Sequence, residues 1–401
     1  MTKKIWRLKG KIQNYAWGGT EYISELLGEE ISEKPRAEYW LGAHVNAPST
    51  IVSSEGNKPL DAYLNLNLTK ILGTKITDKF GRLPFLFKVL DVNDMLSIQV
   101  HPSKIEAEKG FKFENEQGIP LTAKNRNYKD DNHKPEIMVA LSEFWLLHGF
   151  LPKDKLIDVL KNIPEFNQLL PIFEEKGYFG LYKQVMEQTD EESNKILQPL
   201  ADRLLPLYKA GELDRTNPGY WAAKAVNSVE DTAILDKGIY SIYFFNIVMA
   251  NKGEAVFQDA GIPHAYLEGQ NMELMANSDN VLRGGLTPKH VDVPELLKHV
   301  VFEETYPNIM LGELQEDGIE RIYKSPAPDF ELSQIALNSE DKYQSISETA
   351  QVLIVIEGEV EVSEGDVSLV LKKGQAAFLS TESNYSITSP NFATIYKATA
   401  P

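Results

Sequence analysis

The sequence predicts a mainly β protein with a helical insertion, and three observations carry that reading. Short apolar runs bounded by turn residues fill about the first third of the chain and about its last eighty residues. Between them, from roughly 151 to 224, apolar residues fall at helical spacing. A short motif also repeats: Lys252-Gly253-Glu254-Ala255-Val256-Phe257 resembles Lys373-Gly374-Gln375-Ala376-Ala377-Phe378. A glycine turn followed by a short strand is a recurring unit of jelly-roll barrels.

Taken in order, Leu83–Leu90 and Met95–Val100 read as strands, and Asp91-Val92-Asn93-Asp94 between them suits a hairpin turn. Glu136–Leu141 reads as a further buried strand. Helical spacing begins after Pro152, with Leu156, Ile157, Leu160 and Ile163, and recurs at Ile196, Leu197, Leu200, Leu204 and Leu207. Thr189 followed by Glu192 is a capping box for the latter helix. From Tyr240 the β character is expected to return, with Tyr243–Met249 as a strand. A helical block between β-rich stretches is an insertion into a β domain. Domains are therefore expected at 1–150 plus 225–318, at 151–224 for the helices, and at 319–401 for a second barrel. Carrying the repeat forward aligns His264 with Tyr385, so the second barrel lacks the first one's histidine and is expected to be metal-free.

The 401 residues are 42% hydrophobic and 25% charged, with a net charge of −17 and no cysteine. Disulfides, thiolate metal sites and a cysteine nucleophile are thereby excluded. A strongly acidic chain argues against nucleic acid or an anionic membrane as partner. No apolar run approaches a membrane span, and the start has no signal-like apolar region, so a cytoplasmic location is expected. A phosphorylated ligand would meet the same repulsion and would need a local cluster of cations.

Among the seven histidines, three have telling contexts. In Ser97-Ile98-Gln99-Val100-His101-Pro102 an extended backbone puts Ser97, Gln99 and His101 on one face. Three polar groups inside a barrel need a partner, and a metal ion supplies one; an exposed edge strand is the alternative. In Asn132-His133-Lys134-Pro135-Glu136, Pro135 keeps the preceding residue extended and delivers Glu136 to the mouth of a strand, as a ligand or as a surface charge. In Gly261-Ile262-Pro263-His264-Ala265-Tyr266 a turn leads a histidine inward. Two His, one Glu and one amide oxygen are donors for Zn²⁺, with Fe²⁺, Mn²⁺ or Co²⁺ also compatible. Arg283 and Lys289 flank a Gly284-Gly285 turn and would suit an anion, or are simply solvated.

These stretches, together with Ile12-Gln13-Asn14-Tyr15-Ala16-Trp17-Gly18, Tyr39-Trp40-Leu41-Gly42 with His44, and Asp279-Asn280-Val281 through Lys289, resemble the type I phosphomannose isomerase family. Six segments in order span Ile12 to Lys289. The resemblance implies two cupin-type jelly rolls plus a helical domain, and interconversion of mannose 6-phosphate and fructose 6-phosphate with one Zn²⁺ per chain. It places the zinc ligands on Gln99, His101, Glu136 and His264, and the active-site arginine on Arg283. Ser97, Tyr266, Asp279, Lys289 and Lys134 match positions lining the same pocket. Gly284 departs from the family, whose members commonly carry Ala there. Lys134 and His133 are the side-chain candidates for the base that moves a proton between C1 and C2. An Fe²⁺ oxygenase could use the same His and Glu ligands, but would leave Gln99 and the Arg283/Lys289 cluster without a purpose.

Overall fold

A computed structural model describes residues 3–228 and 234–401. Its strands form a nine-stranded, a ten-stranded and a four-stranded sheet. The long strand His264–Ala276 is central to the ten-stranded sheet and pairs along its length with Phe85–Val92, Glu136–Ala140 and Phe144–Phe150. Phe85–Val92 pairs on its other edge with Glu38–Gly42.

Side-chain alternation in these strands decides what lies where. Tyr39, Leu41, Phe87, Val89, Ile137, Val139, Met272 and Leu274 form one core with Val352, Ile354, Phe378 and Tyr396 of the nine-stranded sheet. The two barrels therefore pack sheet against sheet. The alternate residues of the same strands (Glu38, Trp40, Lys88, Leu90, Glu136, Met138 and Glu273) are buried as well, on the other face, inside the first barrel. Inside the second barrel Leu353, Val355, Ala377, Leu379 and Ile395 meet Val360, Val362, Tyr385 and Ile387.

The repeated motif recurs in three dimensions. Gly253 and Gly374 both take positive φ, 88° and 78°. Their N–H groups donate to Ala140 O and Val355 O, each at 2.8 Å. The strands that follow, Ala255–Gln258 and Ala376–Leu379, start at the same step. Gln258 faces Glu136 and Leu379 faces Gln351, so Gln351 is the counterpart of Glu136 and Tyr385 that of His264. In the second barrel these two bond to each other, Tyr385 Oη donating to Gln351 Oε1 at 2.7 Å. Nearby, Lys397 Nζ pairs with Glu320 Oε1 at 2.6 Å and donates to Tyr343 Oη at 2.9 Å. An internal ammonium thus supplies the buried cation of that barrel.

The helices Lys153–Asn162, Leu170–Met186, Asp190–Lys209 and Pro218–Asn227 share one core with Ile98, Val100, Leu147, Phe150 and Leu267 of the first barrel. The Thr189–Glu192 capping box is formed.

Three sequence expectations are corrected. Phe85–Val92 and Gln99–Val100 do not form a hairpin, because both edges of the first strand are already taken; Gln99–Val100 pairs instead with His264 and Leu282–Arg283. Tyr243 and Phe244 end a helix, Gly238–Phe244, and the strand begins at Phe245. Their rings, with that of Tyr240, pack around Phe166 at helical spacing. The strand Ile5–Lys9 joins the second barrel's sheet beside Ala376–Leu379, not the sheet of the first barrel.

Candidate metal centre and active site

Glu136 opens an inward-facing strand, and His264 opens the central strand beside it. His101 follows the short strand Gln99–Val100, whose Gln99 is in register with both His264 and Arg283. His101, Glu136 and His264 converge as a buried trio of donors. His101 Nε2 lies 3.5 Å from Glu136 Oε1, and His264 Nε2 lies 3.3 Å from Oε2.

The outer nitrogens fix both rings. His101 Nδ1 contacts Asn280 O at 2.8 Å and His264 Nδ1 contacts Ile262 O at 2.9 Å. A carbonyl can only accept, so each Nδ1 carries the proton and each Nε2 presents a lone pair toward the carboxylate. Both Nε2 atoms are buried without a hydrogen-bond partner. Two orphaned lone pairs facing a buried carboxylate are costly on their own and fit a divalent cation held by N and O donors. Gln99 lines the same narrow cavity of about 50 Å³ as Glu136 and His264 and offers the fourth, neutral donor.

The electrostatics agree. Burial, with the Lys134 ammonium beside it, pushes His101 down to about 4, keeping the ring neutral. Burial alone would raise the Glu136 carboxyl, but Lys134 and the two histidines hold it well below the ordinary carboxylate range. Lys134 Nζ stands 3.0 Å from Glu136 Oε1.

Three further charged residues line the cavity and were not singled out in the sequence. Lys88 Nζ sits 2.8 Å from Glu273 Oε1 and 3.7 Å from Glu38 Oε2, and Trp40 Nε1 donates to Glu38. Burial works against the Lys88 charge, but Glu273 and Glu38 outweigh it and keep the ammonium. The available signal was a charge within each apolar strand run: Lys88 in Phe85–Val92 and Glu273 in His264–Ala276.

The other candidates divide into those gathered here and one that is not. Tyr266 lines the cavity with its hydroxyl buried and unpartnered. Ser97 lies on the same side of its segment as Gln99, while Ile98 and Val100 point into the helical core. Asp279 Oδ1 is 3.2 Å from His44 Nε2, and together they line a larger cavity of about 780 Å³ with Lys129. Arg283 is partly buried and Lys289 exposed, and among the described residues neither has a carboxylate partner. Desolvation lowers both, and Arg283 further lowers Lys289. His133 is not brought in: its Nε2 meets the buried Asp329 of the second barrel at 2.7 Å. The extended backbone sends His133 and Lys134 to opposite sides.

Comparison with known proteins bears on this geometry. Residues 5–153 match the family model described as phosphomannose isomerase type I, catalytic domain. The chain is 37% identical over 380 residues to mannose-6-phosphate isomerase of Escherichia coli (strain K12), covering 93% of this chain and 94% of that protein. It is 33% identical over 430 residues to the Homo sapiens enzyme of the same name, covering 98% of each. A crystal structure of mannose 6-phosphate isomerase from Salmonella typhimurium, bound to its substrate fructose 6-phosphate and zinc, superposes with a TM-score of 0.88 at 33% identity, over 99% of this chain and 100% of that one. A zinc-bound holo structure of mannose 6-phosphate isomerase gives the same TM-score, identity and coverage. Likeness of this extent runs through both barrels and the helices alike, and it places the chain in the type I phosphomannose isomerase family.

Proposed function

We infer that the chain is a zinc-dependent aldose–ketose isomerase that interconverts mannose 6-phosphate and fructose 6-phosphate. The observation that carries this is the pair of buried, unpartnered Nε2 atoms of His101 and His264 facing Glu136. In this reading Gln99, His101, Glu136 and His264 hold one zinc ion. When bound, zinc withdraws charge from the sugar oxygens at C1 and C2 as Lewis acid.

The chain's own residues do the rest. Lys134 is the group assigned to the proton shuttle. As the free amine, Nζ takes the proton from C2 of the aldose and, as the ammonium so formed, returns it to C1, while the hydroxyl proton passes from O2 to O1. Glu136 Oε1 stands 3.0 Å from that nitrogen, which fixes its position. The free hydroxyl of Tyr266 and the side chains of Ser97 and Asp279 orient the sugar. Arg283 and Lys289 receive the phosphate. In a chain of net charge −17, two neighbouring cations without internal counterions are where an anion gains most. The phosphate binds away from the reacting carbons and lends its binding energy to orientation.

The division of labour follows: residues 1–150 and 225–318 form the catalytic unit, lending the strands Ile5–Lys9, Thr50–Val52 and Lys58–Pro59 to the neighbouring sheet, 151–224 form the helical insertion, and 319–401 a metal-free second barrel. Among the described residues no helix is long and apolar enough to cross a membrane. A cytoplasmic place goes with this reading, because the charge of sugar phosphates keeps them from crossing membranes. An isomerase assay with mannose 6-phosphate tests the reading. It fails if unphosphorylated mannose turns over as briskly as the phosphate ester.

A further inference from the structure

Among the described residues no side chain grips Arg283. Its guanidinium has no ion-pair partner among the described residues, and neither has the ammonium of Lys289. The backbone that carries them must therefore do the aiming. Arg283 ends a two-residue strand, and the turn that follows is held from two sides.

On one side the turn is stitched to the strand of Gln99. Gly284 N donates to Ile98 O at 2.9 Å and Ile98 N donates to Gly285 O at 3.0 Å. On the other side stands Asp236, just ahead of the helix Gly238–Phe244. Its Oδ1 accepts from Leu286 N at 2.7 Å and from Gly238 N at 2.7 Å, and its Oδ2 accepts from Thr287 N at 3.0 Å. Thr287 Oγ1 in turn accepts from Lys289 N at 3.1 Å.

The conformation so held is a costly one. Gly285 has φ 115°, and Leu286 has φ 54°, in a region that a branched side chain rarely adopts. The approach to Asp236 is close: a Cβ on Gly285 would stand 2.6 Å from Gly238 N and 2.7 Å from Asp236 Oδ1. A left-handed leucine three residues beyond an unpaired arginine persists because the three-fold-bonded carboxylate over-determines it.

We propose that Asp236 is a positioning residue of the active site: by accepting the N–H groups of Leu286 and Thr287 it fixes the 284–287 turn, and through that turn it sets where Arg283 and Lys289 present their charges. The helical side of the molecule thereby has a part in catalysis. The inference rests on the reading of Arg283 as the group that meets the phosphate.

A double-mutant cycle tests it. Asp236→Ala should lower kcat/KM for mannose 6-phosphate by ~10–100-fold with zinc content unchanged, and should weaken competitive inhibition by inorganic phosphate in parallel. In an Arg283→Ala background the same substitution should cost less than ~3-fold, because only Lys289 is then left for it to position. Asp236→Asn keeps one acceptor oxygen but turns an NH₂ toward the Thr287 N–H, so it should recover part of the loss. It carries the same cycle if the alanine variant does not fold. Equal losses with and without Arg283, or full activity of both Asp236 variants, would overturn the proposal. Full activity of Arg283→Ala would overturn the underlying reading with it, whereas an impaired Arg283→Ala with an additive cycle would overturn only the role of Asp236.

Discussion

Replacing Arg283 with alanine separates the two roles a half-buried arginine can have. A structural arginine would be paired, and its loss would leave a carboxylate stranded. Arg283 has no such partner among the described residues, and burial alone lowers its pKa, so in the unliganded protein its charge is a cost without a counterpart. Removing it should leave the melting temperature within about 2 °C of the parent's, with any shift upward. Catalysis should respond differently. A charge-assisted, bidentate contact with phosphate contributes about 1.5–3 kcal/mol, and the upper part of that range applies to a partly desolvated site. A loss of about 2.7 kcal/mol corresponds to a ~100-fold fall in kcat/KM for mannose 6-phosphate. Arg283→Lys should recover only part, since a point charge replaces a planar fork. The assay is initial-rate isomerisation alongside zinc content and thermal melting on the same preparations. An alanine variant that unfolds or sheds zinc, while its folded fraction turns over normally, would make Arg283 structural and not a phosphate ligand.

Other outcomes follow from the same structure. Lys397→Ala leaves Glu320 buried without its counterion, so chemical denaturation should show a loss of about 3 kcal/mol, with turnover per folded molecule near the parent's. Gly284→Ala puts a methyl 2.8 Å from Tyr182 Oη and 2.9 Å from Ile98 Cγ2, and should cost about 1–3 kcal/mol in the same measurement. Pairing it with Tyr182→Phe should restore part of that, because the hydroxyl occupies the space a family member's alanine would use. Glu295 is held down to about 2, first by its hydrogen bond with His299 and then by Lys298 and Tyr128. A depressed folded-state pKa stabilises above the unfolded value and loses that contribution as pH falls toward about 2. Glu295→Gln should therefore lose less stability than the parent between about pH 5 and 2, and identical acid limbs would contradict this.

What the sequence made legible were features with local signatures. His101, Glu136 and His264 stood next to prolines and turns that fix backbone direction, and the alternation from Ser97 to His101 appears in space as read. The capping box at Thr189 and the helices around it depend on spacings of three and four. Non-local pairing was not legible. Phe85–Val92 has its partners at 38–42 and 264–276, and no turn signal near Asp91 could reveal that both edges were occupied. Ile5–Lys9 pairs on one edge with Thr50–Val52 and on the other with Ala376–Leu379, more than 300 residues later, and that second pairing was hidden for the same reason. Lys88, Glu38 and Glu273 hid inside apolar strands, where each looks like an isolated exception until the register stacks them. His133 looked as eligible as Lys134, and only the second barrel's Asp329 decides which way it faces. Tyr243 and Phe244 have the composition of a strand, but tertiary packing around Phe166 makes them helical.

One zinc ion, bound through His101, Glu136 and their neighbours, is required for isomerisation in the function proposed. The direct measurement is metal content by mass spectrometry together with mannose 6-phosphate turnover, on the purified chain before and after chelation and after stoichiometric zinc is returned, with His101→Ala and Glu136→Ala alongside. The expected result is about one zinc per chain, loss of turnover on removal, recovery on return, and little zinc in either variant. Full turnover by the metal-free chain, or stoichiometric zinc in either variant, would contradict it.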